Sequence, residues 1–134
     1  MAEIMALLRG GEVCDLGGGL CGQWEPGIIR VTFPNGRQQT VRYERRGDRY
    51  LFTSRVATEG HLRHVSWKDL SREILRRNRM AKVVAFGVRN WHAVDAWVEQ
   101  RASTLRAEKL KFYLRLLAQE ADRFEFLLTG KDVH

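Results

Sequence analysis

Apolar and polar residues alternate along most of the stretch from residue 28 to residue 57, which is the pattern of strands with one buried face. Turn residues divide this stretch, because Asn35-Gly36 and Gly47-Asp48 favour tight hairpin connections. The pattern therefore predicts a three-stranded antiparallel meander, with strands at residues 29–33, 37–45 and 49–57.

A helix is predicted over residues 67–79, where Ser66 has the position of an N-cap and Asp69 follows it three residues later. Cationic residues in the last turn suit the negative end of the helix dipole. The apolar residues of this helix are expected to face inward: Trp67, Leu70, Ile74 and Leu75.

A longer helix is predicted over residues 107–128, with a length of about 33 Å. Its apolar residues recur at spacings of four and three, which makes a seam that either packs on the sheet or pairs with a second chain. The seam consists of Leu110, Leu114, Leu117, Ala121, Phe124 and Leu128. More apolar surface lies beyond it, at Phe112, Tyr113, Leu116 and Phe126. A helix this apolar favours burial on two sides, and hence a homodimer or another partner.

Two further strands are predicted between these helices, at residues 82–89 and 93–102. In the second strand Val94, Ala96 and Val98 share one face, and the opposite face is polar. With a short helix at residues 2–9, the order of elements is α-βββ-α-ββ-α. The predicted fold class is α+β, an antiparallel sheet with a long C-terminal helix packed on one face.

Glycines are concentrated in residues 10–27, which predicts a loop or an irregular strand pair. Residues 17–22 match the spacing GxGxxG, but no helix follows that could hold a phosphate, so we interpret them as a flexible linker. The predicted organisation is a short N-terminal helix with a Gly-rich segment (1–27), a single α+β domain (28–130) and a tail (131–134).

Candidate metal ligands are His61, His64, Cys14 and Cys21, but neither the His nor the Cys spacing matches a zinc site. The sequence contains no nucleophile elbow, HExxH or Walker loop. We therefore expect no catalytic residues, no metal and no cofactor. With two cysteines and no signal-peptide pattern, a reducing cytoplasm is the expected compartment.

Positive charge is uneven along the chain, whose formal net charge is +7. Residues 27–92 contain 15 Lys and Arg against five acidic residues. Such a segment can attract nucleic acid, an anionic surface or an acidic protein. Of the 23 basic residues 18 are Arg, a bias that GC-rich coding alone can produce without a binding role. The apolar runs are far shorter than the ~20 residues that cross a bilayer, so no membrane partner is expected.

Trp97 falls on the polar face of its predicted strand, and Trp is enriched among interface anchors. It therefore marks a candidate partner-binding surface, although a helix or a dimer partner could also cover it. Tyr43 and Tyr50 fall on the apolar face, which favours a core position over a base-stacking platform. The candidate surface consists of Trp97, Arg30, Arg42, Arg49, Arg55 and Arg101.

Three segments resemble the YbjN-like group, which shares its fold with type III secretion chaperones. They are GRQQTVRYERRGDRYLFTSRVA (36–57), AVDAWVEQRASTL (93–105) and LRLLAQEADRFEFLLTG (114–130). The resemblance covers about residues 28–130. It implies a small, usually dimeric, non-enzymatic module that binds peptide or protein segments, and it carries no catalytic residue.

The sequence therefore favours a chaperone-like or regulatory module that binds a protein or peptide segment, and predicts a homodimer. An extended peptide could also pair with an exposed strand edge. The alternative function is a basic nucleic-acid-binding regulator, for which affinity would fall steeply with salt.

Overall fold

The computed structural model describes residues 13–63, 65–80, 82–89 and 93–129. The predicted helix at residues 2–9, the turn at 90–92, His64 and the tail at 131–134 lie outside the described residues. The strands are β1 (Val13–Gly17), β2 (Leu20–Glu25), β3 (Ile28–Thr32), β4 (Gln38–Arg46), β5 (Arg49–Ala57), β6 (Ala85–Arg89) and β7 (Ala93–Arg101). The helices are α1 (Glu59–Leu62), α2 (Trp67–Met80) and α3 (Ala107–Thr129), with a 3₁₀ turn at Ala102–Thr104.

All seven strands form one antiparallel sheet in the order β1-β2-β3-β4-β5-β7-β6. The meander from β3 to β5 was predicted, and its turns contain Gly36 and Gly47 at positive φ. The sheet and the long C-terminal helix confirm the predicted α+β fold class, with two more strands than expected.

Those two strands occupy most of the Gly-rich segment. Gly18 and Gly19 have φ angles of 63° and 82°, so a tight turn joins β1 to β2. Leu16, Leu20 and Trp24 project from this hairpin into the core. The linker interpretation was therefore wrong, and the irregular strand pair left open as the other possibility is what forms. The predicted boundary between residues 27 and 28 falls at the turn between two paired strands.

The chain leaves β5 through α1 and α2, reaches the far edge of the sheet as β6, and returns as β7 between β5 and β6. α2 packs against β6 and buries Leu70 and Ile74. Trp67 and Leu75, which were predicted to face inward, are exposed. The reason is the position of α2 at the edge of the sheet, where only a narrow stripe of the helix meets the core.

α3 crosses the middle of the sheet and contacts β5, β7, β4 and β1. Five of the six predicted seam residues are fully buried against it: Leu110, Leu114, Leu117, Ala121 and Phe124. Leu128, the sixth, is only partly buried. The seam thus packs within the chain, which is the first of the two roles predicted for it.

Polar groups also lie beneath α3. The Arg37 guanidinium is 2.6 Å from Asp122 Oδ1, and both side chains are largely buried. Gln39 donates to Glu125 at 3.4 Å and accepts from the Ser54 hydroxyl at 3.1 Å. These contacts tie the helix to β4 and β5 in one register, since buried polar groups need their partners.

Candidate functional site

One face of the sheet packs against α3, and we call the opposite face the open face. Its side chains alternate with the buried ones along each strand. Strand pairing sets its cross-strand neighbours, so that Arg42 lies opposite Thr53 and Thr53 opposite Trp97. All six residues of the predicted surface lie on the open face: Trp97, Arg30, Arg42, Arg49, Arg55 and Arg101.

Trp97 is partly buried because its indole lies across the edge strand β6. A Cβ added at Gly87 would come within 2.8 Å and 3.1 Å of two atoms of the indole. Gly87 therefore leaves the space that the ring occupies. The predicted contact residue is held in one orientation at the rim of the open face.

We expect Gly87→Ala to lower the free energy of unfolding by about 1–3 kcal/mol, because the new methyl group overpacks against the indole. Chemical denaturation of this variant and of the Gly87→Ala/Trp97→Ala double variant measures the effect. In the Trp97→Ala background the penalty should disappear. An equal penalty in both backgrounds would show that Trp97 does not occupy this space.

Most arginines of the open face are paired with carboxylates. Arg30 lies 2.6 Å from Glu25, Arg46 lies 2.8 Å from Glu44, and Arg49 lies 3.3 Å from Glu99. Arg55 and Arg89 both approach Asp95, at 2.6 Å and 3.5 Å. Among the described residues, Arg42 and Arg101 form no ion pair. Five arginines of this face thus share four carboxylates, and Arg42 and Arg101 add positive charge that no ion pair of the described residues balances.

A groove of about 560 Å³ lies in the open face, and we call it the arginine groove. Its polar lining consists of Thr40, Arg42, Tyr43, Glu44, Thr53, Arg55, Arg89 and Asp95. Two of the six residues of the predicted surface, Arg42 and Arg55, line the arginine groove, and the other four do not. Asp95 and Arg89 were not predicted, because only the strand order brings β6 and β5 to the same carboxylate.

Three of the four candidate metal ligands, Cys14, Cys21 and His61, lie in the described part of the chain. Cys14 and Cys21 are free thiols at adjacent register positions, where the first is partly buried and the second is exposed. Within the described ranges no group of three or more His, Cys, Asp or Glu side chains could hold a metal. Residues 17–22 form the β1–β2 turn and its flanks, followed by a strand rather than a helix.

The outer edge of β6 is occupied by a side chain of α2. The Asn78 carboxamide donates to the Phe86 carbonyl at 2.9 Å and accepts from the Phe86 N–H at 2.8 Å. These are the backbone groups of Phe86 that point away from β7, so Asn78 pairs with them as an added strand would.

Elsewhere on α2, the hydrogen bond from Arg76 lowers the pKa of the Glu73 carboxyl, and the positive charges of Arg76 and Arg77 act in the same direction. This cluster lies apart from the arginine groove.

None of the helices in the described ranges has the length and apolar character of a membrane-spanning segment.

No family model matches the chain, and no curated protein matches its sequence. Solved structures do match the fold. A chain of the heterodimeric ExoU–SpcU complex from the type III secretion system of Pseudomonas aeruginosa is 14% identical, with a TM-score of 0.58 over 80% of this chain and 87% of that one. A chain of the HopA1–SchA chaperone–effector complex is 12% identical, with a TM-score of 0.55 over 91% and 92%. A chain of the ExsC–ExsE complex is 19% identical, with a TM-score of 0.53 over 75% of each.

The sheet and its covering helix are therefore those of a type III secretion chaperone-like fold. This is the fold that the resemblance implied, and it now includes the hairpin formed by β1 and β2, since residues 13–25 pair with β3 in the same sheet.

Proposed function

We propose that this chain is a non-enzymatic, chaperone-like module that binds a segment of another protein on its open face. The observation that carries the proposal is the shared fold, because the matching solved structures are complexes of two proteins and one is described as a chaperone with its effector. The open face supports it with a groove and an oriented Trp97, which are features of a contact surface.

Strand addition at β6 is a less favourable route for the partner. An added strand would have to displace Asn78 from both backbone groups of Phe86. Two hydrogen bonds would be exchanged without a net gain at this position. The proposal therefore places the partner segment on the open face rather than along this edge.

The nucleic-acid alternative receives less support from the same surface. Glu25, Glu44 and Glu99 lie among its arginines and pair with them. A polyanionic backbone would meet these carboxylates at several points, whereas binding to nucleic acid rests on continuous positive charge.

The predicted homodimer also stays a proposal. Phe112, Phe126 and Leu127 remain exposed on α3, so this helix still carries apolar surface that a second copy could cover. The seam itself is not available for that contact, because it is buried against the sheet.

The test is selection of a random dodecapeptide phage library on the protein, followed by fluorescence anisotropy of the enriched peptides. We expect micromolar binding that Trp97→Ala weakens at least about tenfold. Trp67→Ala, which truncates an exposed Trp on α2, is the matched control and should leave affinity unchanged.

Two results would contradict the binding of a protein segment itself, and a third would contradict its placement. One is a library from which no peptide is enriched above background. The other is binding of a generic oligonucleotide more tightly than about 1 μM at ~0.15 M salt, which exceeds non-specific affinity and favours the nucleic-acid regulator. Equal loss in the two Trp variants would place the contact away from the open face.

A further inference from the structure

Asp95 is a buried carboxylate on the open face. Its side chain is only 4% exposed. One oxygen, Oδ1, accepts a hydrogen bond from Arg55 Nε at 2.6 Å. The other, Oδ2, lies 3.5 Å from Arg89 Nε. One carboxylate thus holds two guanidinium groups, which come from strands on either side of β7.

Both arginines approach the carboxylate through the inner nitrogen, Nε, and in the described structure their outer nitrogens form no hydrogen bond with it. Their side chains are 48% and 55% exposed. An Arg guanidinium has five N–H donors in a fixed planar arrangement, and its outer edge matches a carboxylate in a bidentate pair. Asp95 therefore orients the two outer edges without filling them.

Arg42 adds a third guanidinium to the groove, and no ion pair occupies it among the described residues. Glu44 also borders the groove, but Arg46 pairs with it at 2.8 Å. Three arginines and the single remaining carboxylate, Asp95, leave the groove with a surplus of positive charge. The Thr40 and Thr53 hydroxyls supply additional donors.

We propose that the arginine groove binds an acidic segment of the partner protein, with its Asp or Glu carboxylates on Arg42, Arg55 and Arg89. This inference rests on the proposed function and names the chemistry that the partner segment needs. The groove volume of about 560 Å³ lies within the range of binding pockets and suits a few side chains. Paired carboxylates around it make a short acidic segment a better fit than a long polyanion.

The first test compares a fluorescein-labelled hexaglutamate peptide with hexaglutamine at about 0.15 M salt. We expect hexaglutamate to bind and hexaglutamine not to bind. Arg42→Gln should weaken hexaglutamate binding about tenfold, since one charge-assisted contact is lost. Arg101→Gln is the matched control, because it removes an equally unpaired charge from the same face outside the groove. Equal losses in the two variants would mean attraction by overall charge and would overturn the proposal.

The second test uses Asp95→Asn. Attraction by charge alone and orientation of the arginines by Asp95 predict opposite changes in the affinity for hexaglutamate. This variant adds one unit of positive charge to the groove, so a site that works by charge alone should bind hexaglutamate more tightly. If Asp95 is a positioning residue, loss of its anionic anchor should weaken binding severalfold instead. A thermal melt shows whether the variant is folded. If it is not, the comparison of Arg42→Gln with Arg101→Gln tests the proposal.

Competition with other anions shows whether the groove prefers an acidic peptide, a nucleic acid or a simple anion. A 12-nucleotide single-stranded oligonucleotide that displaces hexaglutamate at equal charge concentration would overturn the acidic-segment proposal. Inorganic phosphate that displaces it at an equal concentration would show a simple anion site, with the same consequence. If library-selected peptides bind through Trp97 but are not acidic and ignore Arg42→Gln, this inference fails and the proposed function stands. If no peptide of any kind binds, both fail.

Discussion

Phe124→Ala is expected to lower the free energy of unfolding by about 3–5 kcal/mol, because it empties a site that α3, the sheet and α2 share. The Phe124 side chain is 0% exposed. Its ring packs edge-on against Phe86 of β6 at 5.2 Å between centroids, and the Arg77 guanidinium lies 4.5 Å above it. Truncation removes the apolar burial, the aromatic pair and the cation–π contact together. Urea denaturation followed by far-ultraviolet circular dichroism measures the loss.

Phe126→Ala is the matched control for this experiment. The same residue type lies two positions along the same helix, but its side chain is 49% exposed. The substitution is the same in the two variants, so helix propensity cancels and the difference between them reports the buried contacts of Phe124. We expect Phe126→Ala to change stability by less than about 1 kcal/mol. Similar losses in both variants would show that α3 does not pack on the sheet by its predicted seam.

The seam of α3 was predictable because it depends only on local spacing. A stripe at intervals of four and three specifies which side of a helix is apolar, wherever that helix packs. α2 shows where the same reasoning fails. Its Trp67 and Leu75 belong to an apolar pattern, yet the helix meets only the edge strand, and they stay exposed. How much of an apolar stripe is buried depends on tertiary position, which spacing does not contain.

The strands show the same division between local and long-range information. Alternation placed Val94, Ala96 and Val98 inside and Trp97 on the open face. It could not show that β7 inserts between β5 and β6, because strand order depends on contacts between distant parts of the chain. The sequence could not decide between a loop and a strand pair at the β1–β2 hairpin for a different reason. Its glycines are typical of loops, but they form the turn and its flanks between two short strands.

Only part of the candidate site could be predicted, because the face of each side chain depends on local alternation and its partners depend on strand order. Face assignment grouped Arg42 and Arg55 with Trp97, since each alternates with buried neighbours. The paired acid of Arg55 lies 40 residues away, and the second arginine on that acid comes from another strand. Both facts follow from the strand order. The sequence therefore indicated which face to consider, and the register identified the groove within it.

Trp24→Ala is expected to cost about 3–5 kcal/mol as well, which would show that the hairpin of β1 and β2 is part of the folded core. The indole is fully buried, although it comes from the Gly-rich segment that was predicted to be a loop or an irregular strand pair. Its Nε1 has no hydrogen-bond partner in the described structure, so Trp24 contributes through packing. Trp24→Phe should therefore recover most of the lost stability. Urea denaturation measures the loss, and amide hydrogen exchange shows whether protection falls in β3 as well as in the hairpin.

Gln23→Ala provides the control, because Gln23 is the exposed neighbour on the same strand and faces the opposite side of the sheet. It should leave both stability and exchange unchanged within about 0.5 kcal/mol. If Trp24→Ala behaves like Gln23→Ala, or if protection is lost only in residues 13–25, the hairpin is an appendage. The stable unit would then begin near residue 28, where the sequence placed the boundary. Loss of protection through β3 and β4 would instead place the start of the domain at or before residue 13, because the strands that pair with the hairpin would depend on it.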